Sequence, residues 1–410
     1  MPTYSVKSFF SVLIIATTIS CSKSNDSSTS TPTPTPTPTP TVDTLAFSST
    51  LVSAGLGGYA SYRIPAIIKA PDGSLLAFME GRVSSSADFG NIKILVSKST
   101  DNGKHWSTPQ IAAQNGSMQA GNPSPVVDMY DSRYPQGRIF LFYCIGNNTQ
   151  ANVTNLNGVR EVFYITSIDN GVTWSSPTNI TLQVSHPYQP SYNPAYTDPM
   201  QWTAYATGPG HALQMTQGAH AGRLVIPINH GIFSSKTNYA AAFYTDDHGA
   251  SFKISPDVLL QSDETTAAEL PGGGVLLNSR DQYDPSKQRI LSYDTVGNLN
   301  SSTTWLTSWN AYLIDPVCEG SMLNYTTAAG NKVILFCNPV SPSFQRAMLG
   351  LRQSFTNGKT WTQAYVADNG AAAYSDIVAL PNDHVGILYE SNNYGTITFI
   401  SVKYSQIPTL

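Results

Sequence analysis

Cysteine is scarce in this chain, with four in 410 residues. So few cannot staple a domain of this length, and no disulfide framework is implied, although one bridge is possible in an exported protein. Charge is thin as well. Only 12% of residues are Asp, Glu, Lys or Arg, the net charge is −4, and no basic run occurs. Phosphate-backbone recognition needs clustered Lys and Arg, so nucleic acid is excluded as a partner. The seven histidines show no metal-ligand spacing, and neither a metal nor another cofactor is expected. The one long apolar run, Phe9 to Ile19, is too short to span a bilayer as a mature helix. No stretch carries a sustained helical period.

What is abundant points to turns and strands. Gly 30 and Pro 27, with frequent Ser, Thr and Asn, suit an all-β chain, and 41% hydrophobic residues allow a large core. At the N-terminus, Lys7, the apolar run and "TTISC" resemble a bacterial lipoprotein signal in which Cys21 is lipidated and becomes the mature first residue. Ordinary secretory cleavage nearby is the alternative. Ser22 to Thr41 run into "TPTPTPTPTPT", an extended stalk that cannot build a core. Residues 1–21, 22–41 and 42–410 therefore read as leader, linker and folded domain. Cys144 and Cys337 lie in apolar strand-like runs and read as small buried hydrophobes, leaving Cys318.

Four segments repeat one pattern: "STDNGKHW" from Ser99, "SIDNGVTW" from Ser167, "TDDHGASF" from Thr245 and "SFTNGKTW" from Ser354. Asp or Asn side chains bond the turn's own amides, Gly takes a positive φ, and the closing aromatic anchors the turn on a sheet. The pattern is the Asp box, which marks outer turns and not active sites. The first two intervals each suit one four-stranded unit. The last suits two, one having lost its signature. About 360 residues at roughly 60 per unit predict a six-bladed β-propeller of four-stranded antiparallel blades.

Blades bring distant residues to one central face, so charged residues inside apolar strands matter. "ASYRIPAII" carries Arg63 and Pro65 in what otherwise reads as a buried strand. Alone, it reads as an edge strand with a solvated Arg. Arg280 closes "ELPGGGVLLNSR" and Arg346 opens "RAMLGLRQS". Three guanidinium groups meeting in a water-poor pocket need a shared anion, and a carboxylate fits their fork. Arg352 competes with Arg346, because six residues later it shares the same strand face.

In order along the chain, "YRIP", "EGR", "DETTAAELPGGGVLLNSR", "YSDIVAL" and "ILYE" resemble the motif series of bacterial exo-α-sialidases (neuraminidases) of glycoside hydrolase family 33. The resemblance spans Tyr62 to Glu390. It implies that Arg63, Arg280 and Arg346 grip a sialic acid carboxylate, and that Tyr374 is the nucleophile with Glu264 as its base. Glu269 is the rival base. It further implies Asp88 as acid/base, Glu390 as the carboxylate orienting Arg63, Arg82 as a supporting or sugar-hydroxyl contact, and Asn122 at the pocket wall. Departures at Phe252 and Thr356 fall in box turns. The implied partners are sialylated glycans, glycoproteins or glycolipids, reached by an exported monomer whose only membrane contact is a lipid anchor. A trans-sialidase, a KDN-preferring sialidase and a non-catalytic glycan-binding propeller stay open as alternatives. A pure binder has no use for a nucleophile pair.

Overall fold

Period-2 runs rich in Val, Ile, Leu and Phe form strands almost throughout the computed structural model, which describes residues 46–283 and 287–409. Cys21, the leader and the linker lie outside the described residues. The fold is all-β, built from antiparallel units that are mostly four-stranded, as a propeller requires. Gln150–Thr154 and Thr181–Val184 are the only α-helices among the described residues.

Ser61–Lys69, Leu75–Arg82, Ile92–Ser99 and Gln110–Ala113 form the first antiparallel unit. Gln119–Asp128, Arg138–Gly146, Arg160–Ser167 and Thr178–Asn179 form the next, joined to it by the single parallel pair Ile92 and Gln119. Trp202–Thr207, Leu224–Ile232, Thr237–Thr245 and Lys253–Ile254 follow, then Thr265–Leu270, Gly274–Ser279, Gln288–Asp294 and Leu306–Ile314. In the last sheet, Ser321–Thr326, Lys332–Pro339 and Ala347–Ser354 lead into the long strand Tyr365–Leu380. The first half of that strand pairs backward and its second half pairs with His384–Ser391. Thr396–Lys403 and then Phe47–Ser53 complete the sheet, so the first described strand pairs with the last.

Apolar residues fill the space between neighbouring sheets. Val126, Phe142, Ile226 and Phe243 pack in one such layer, and Met79, Leu95, Val378 and Phe399 in another. Leu75–Arg82 is buried at every position, so it reads as a continuous apolar run broken only at Glu80 and Arg82.

The box turns show why their pattern repeats. Ser99 Oγ accepts the Gly103 N–H, and Asp101 Oδ1 accepts the His105 N–H at 2.9 Å. Ser167, Thr245 and Ser354 repeat the first bond. In the fourth box Thr356 Oγ1 stands in for the carboxylate and accepts the Thr360 N–H. Residues four and five of every box have positive φ. The glycines are also packed against another unit: a Cβ on Gly103, Gly171, Gly249 or Gly358 would strike Phe399, Leu76, Phe140 or Leu276. The fourth unit, Thr265 to Ile314, has no box and replaces it with Asp294, whose carboxylate accepts the N–H groups of Val296, Gly297 and Leu299.

Gly103→Ala should therefore destabilise the protein by about 2–4 kcal/mol, combining left-handed strain with overpacking. Its Cβ would lie 2.2 Å from Phe399 Cε1. Gly55→Ala, also at positive φ but with nothing within 4 Å, should cost clearly less. Equal losses in denaturant melts of the two variants would refute the packing argument.

Candidate active site

Arg63 is where the first innermost strand breaks its own rules. Pairing of Ser61–Lys69 with Leu75–Arg82 slips between Arg63 and Ala66, and Ile64 takes φ 56°. A β-branched residue in that region is an outlier that needs outside support. Glu390 provides it: its Oε1 accepts the Ile64 N–H at 2.9 Å and Arg63 Nε at 2.5 Å. Pro65 has no N–H to lose at the slip. Ser61–Lys69 is indeed an edge strand, but Arg63 lines a cavity of about 540 Å³ with its side chain only 13% exposed. The neighbouring unit repeats the device, since Asn122 takes φ 56° before Pro123 and its N–H bonds Glu80 Oε1 at 3.0 Å.

Arg280 and Arg346 reach the same cavity from other sheets. Arg280 Nη1 donates to Glu264 Oε2 at 2.8 Å and to the Tyr374 hydroxyl at 3.1 Å. Arg346 Nη2 donates to the Val317 carbonyl at 2.6 Å and its Nη1 to the Tyr394 hydroxyl at 3.3 Å. Burial alone would lower the Arg63 and Arg280 guanidinium groups. Glu390 beside the first and Glu264 beside the second reverse this and hold both above the ordinary value.

Tyr374 lies between these arginines, at the point where Tyr365–Leu380 passes from one unit to the next. Pairing slips there between Ala372 and Ser375, and two carboxylates take over from the ladder. Glu390 Oε2 accepts the Tyr374 N–H at 3.4 Å, and the buried Glu319 accepts the Ser375 N–H at 2.9 Å. The Tyr374 hydroxyl donates to Glu264 Oε1. Arg63 and Arg346 each approach its ring at 5.4 Å. Burial first, and then the Glu264 charge, raise the phenol well above its usual value, with Arg280 and Arg346 opposing. The phenol is therefore neutral at pH 7, and its proton points at the Glu264 carboxylate.

Asp88 stands across the cavity on an exposed turn, its side chain 81% exposed. Arg82 ties it down, donating from Nη1 to Asp88 Oδ1 at 2.7 Å while Nε and Nη2 hold Glu80 Oε2. Asp263, next to Glu264, is pushed up to about 6 by burial and then by the Glu264 charge.

Arg63, Arg82, Asp88, Asn122, Glu264, Arg280, Arg346 and Tyr374 thus share one cavity, and Glu390 braces it from behind Arg63. Two competitors fall elsewhere. Glu269 accepts the Thr216 and Gln217 N–H groups and does not line the cavity. Arg352 is buried opposite Phe336, also outside it. Sequence reasoning passed over Glu80, Arg160 and Tyr394. The first two carry the signal that betrayed Arg63, a charge in an apolar strand. Tyr394, whose ring faces Arg63 at 4.5 Å, sits in a polar hairpin and gives none. Cys144, Cys318 and Cys337 are free, buried thiols. One group with metal-ligand proximity occurs among the described residues: Asp128, Asp131 and His248. It does not line the cavity, and Arg133 and Arg138 already pair with Asp131.

Fold and site together define an all-β protein of box-turned sheets around a cavity built to receive an anion. Residues 73–388 match the family model described as a BNR repeat-like domain, and the chain belongs to that family. It is similar to a sialidase of Micromonospora viridifaciens, 31% identical over 352 residues that cover 82% of this chain and 50% of that protein. A sialidase of Bacteroides fragilis is 27% identical, over 86% of this chain and 64% of its own length. The chain therefore spans about half to two thirds of these curated relatives. Among solved structures, the Hadza microbial sialidase Hz136 superposes with a TM-score of 0.73 at 27% identity, covering 87% of this chain and 68% of that one.

Proposed function

We propose that the chain is a retaining exo-α-sialidase that removes terminal sialic acids from glycoconjugates through a sialyl-tyrosine intermediate. The observation that carries this reading is the Tyr374 hydroxyl bonded to Glu264 in the midst of Arg63, Arg280 and Arg346. The arginines hold the sugar carboxylate. That carboxylate sits on the anomeric carbon, so an anionic nucleophile would be repelled and a neutral phenol is not. Tyr374 Oη attacks the anomeric carbon as its proton passes to Glu264, and Asp88 protonates the departing glycosidic oxygen. Asp88, now a carboxylate, takes a proton from water, which attacks the same carbon. The Tyr374 oxygen leaves and recovers its proton from Glu264. Two displacements give net retention.

In the same reading the sheets are six blades, closed by pairing of Phe47–Ser53 with Thr396–Lys403. The protein is an exported monomer, held at a surface by lipidated Cys21 through the 22–41 linker.

The test is hydrolysis of the 4-methylumbelliferyl glycosides of sialic acid and of KDN, side by side, with the first-formed product followed by proton NMR. Release of the α-anomer of sialic acid is expected. Initial release of the β-anomer, or no hydrolysis of either glycoside, overturns the reading.

A further inference from the structure

An aromatic rim runs outward from the cavity beside Arg280. Ser279, Ile290 and Trp309 stand in register across three strands, and Ser279 directly precedes Arg280. Trp309 is thus about 10 Å, two interstrand spacings, from the strand that delivers Arg280. Its Nε1 donates to Asp281 Oδ2 at 2.9 Å, while Asp281 Oδ1 accepts the Tyr283 N–H at 3.0 Å. One buried carboxylate therefore fixes both aromatic residues, and Tyr283 itself lines the cavity. Both remain 44% exposed. Just beyond, the pairing jumps from Arg289–Asn310 to Gln288–Ile314, and this irregularity leaves Tyr312 56% exposed.

Large aromatic rings held in place yet left wet are a signature of surfaces that something covers. A tethered indole offers a rigid amphipathic face at little entropic cost. Its complement is a sugar ring, apolar on its C–H face and hydroxylated at its edge. Continuity with the cavity says which sugar. We propose that Tyr283 and Trp309 form a subsite for the hexose that carries the terminal sialic acid, the Trp309 ring stacking on its C–H face. This assignment rests on the sialidase reading.

The experiment compares kcat/KM for α-sialyl fluoride, whose leaving group cannot reach the rim, with that for sialyllactose. Trp309→Ala should lower the sialyllactose value about tenfold, the size of one aromatic stacking contact, and leave the fluoride value unchanged. Trp309→Phe should restore most of the loss. Equal losses on both substrates would mean that the ring only supports the sheet, and no loss on either overturns the subsite. A second arm does not depend on hydrolysis: saturation-transfer NMR should detect free lactose on the wild type and not on Trp309→Ala. If the wild type cleaves neither sialoside but this difference holds, the sialidase reading falls and what stands is a hexose contact at Trp309 without its sialic acid. Lactose bound equally by both proteins, or by neither, overturns the subsite.

Discussion

Tyr374→Phe should cut sialoside turnover on the order of 10³-fold or more, the scale seen when a nucleophile that works as a unit with its base is removed. The fold should survive. The ring packs with Ile64, Cys318 and Ala373 and faces two guanidinium groups, and Phe keeps all of these contacts. Only the oxygen that touches Glu264 and Arg280 is lost. A 2,3-difluoro sialyl fluoride, which slows the second displacement more than the first, should leave its mass on the wild-type peptide containing Tyr374. Glu264→Gln should still bind sialosides and react slowly, because the phenol loses its proton acceptor. Label found on Glu264 or Asp88, with Tyr374 clean, would return the protein to the glycosidases that use a carboxylate nucleophile.

The arginines should separate just as sharply. Arg63→Ala, Arg280→Ala and Arg346→Ala should each raise the barrier by about 2–5 kcal/mol, the cost of truncating one partner of a buried, hydrogen-bonded charge pair. Part of the loss for Arg63 and Arg280 comes from stranding Glu390 and Glu264. Arg352→Ala should change kcat/KM less than about threefold, since no catalytic oxygen depends on it. Burial lowers that guanidinium to about 10, and its Nε and Nη1 atoms find no hydrogen-bond partner among the described residues. Measured kcat/KM with Arg346→Ala silent and Arg352→Ala severe would exchange their roles.

Much of this arrangement was legible because sequence and geometry conflict locally. Arg63 and Pro65 spoil a strand, and the structure answers with a slipped register, a left-handed Ile64 and the Glu390 carboxylate. The box turns were legible for the opposite reason, since hydroxyl, carboxylate and glycine all act within eight residues. Residues whose meaning depends on a distant partner were not. Tyr394 matters only because Arg63 and Arg346 arrive beside it. Glu269 and Glu264 are five residues apart, and only the fold shows which of them meets Tyr374. The missing box was legible only as a gap, because Asp294 caps its turn with a different spacing.

The pairing of Phe47–Ser53 with Thr396–Lys403 also sets a clock on biogenesis. A ribosome adding about 5–20 residues per second makes the earliest of these strands tens of seconds before the latest. Until then Phe47–Ser53 has no mate, and the sheet that carries Tyr374 and Glu390 cannot be finished. Local hairpins between consecutive strands can form as they emerge, whereas this one contact must close nearly the whole length of the domain. A chain cut short before Thr396 would carry most of the cavity's side chains and still leave two unpaired strand edges exposed to other nascent chains.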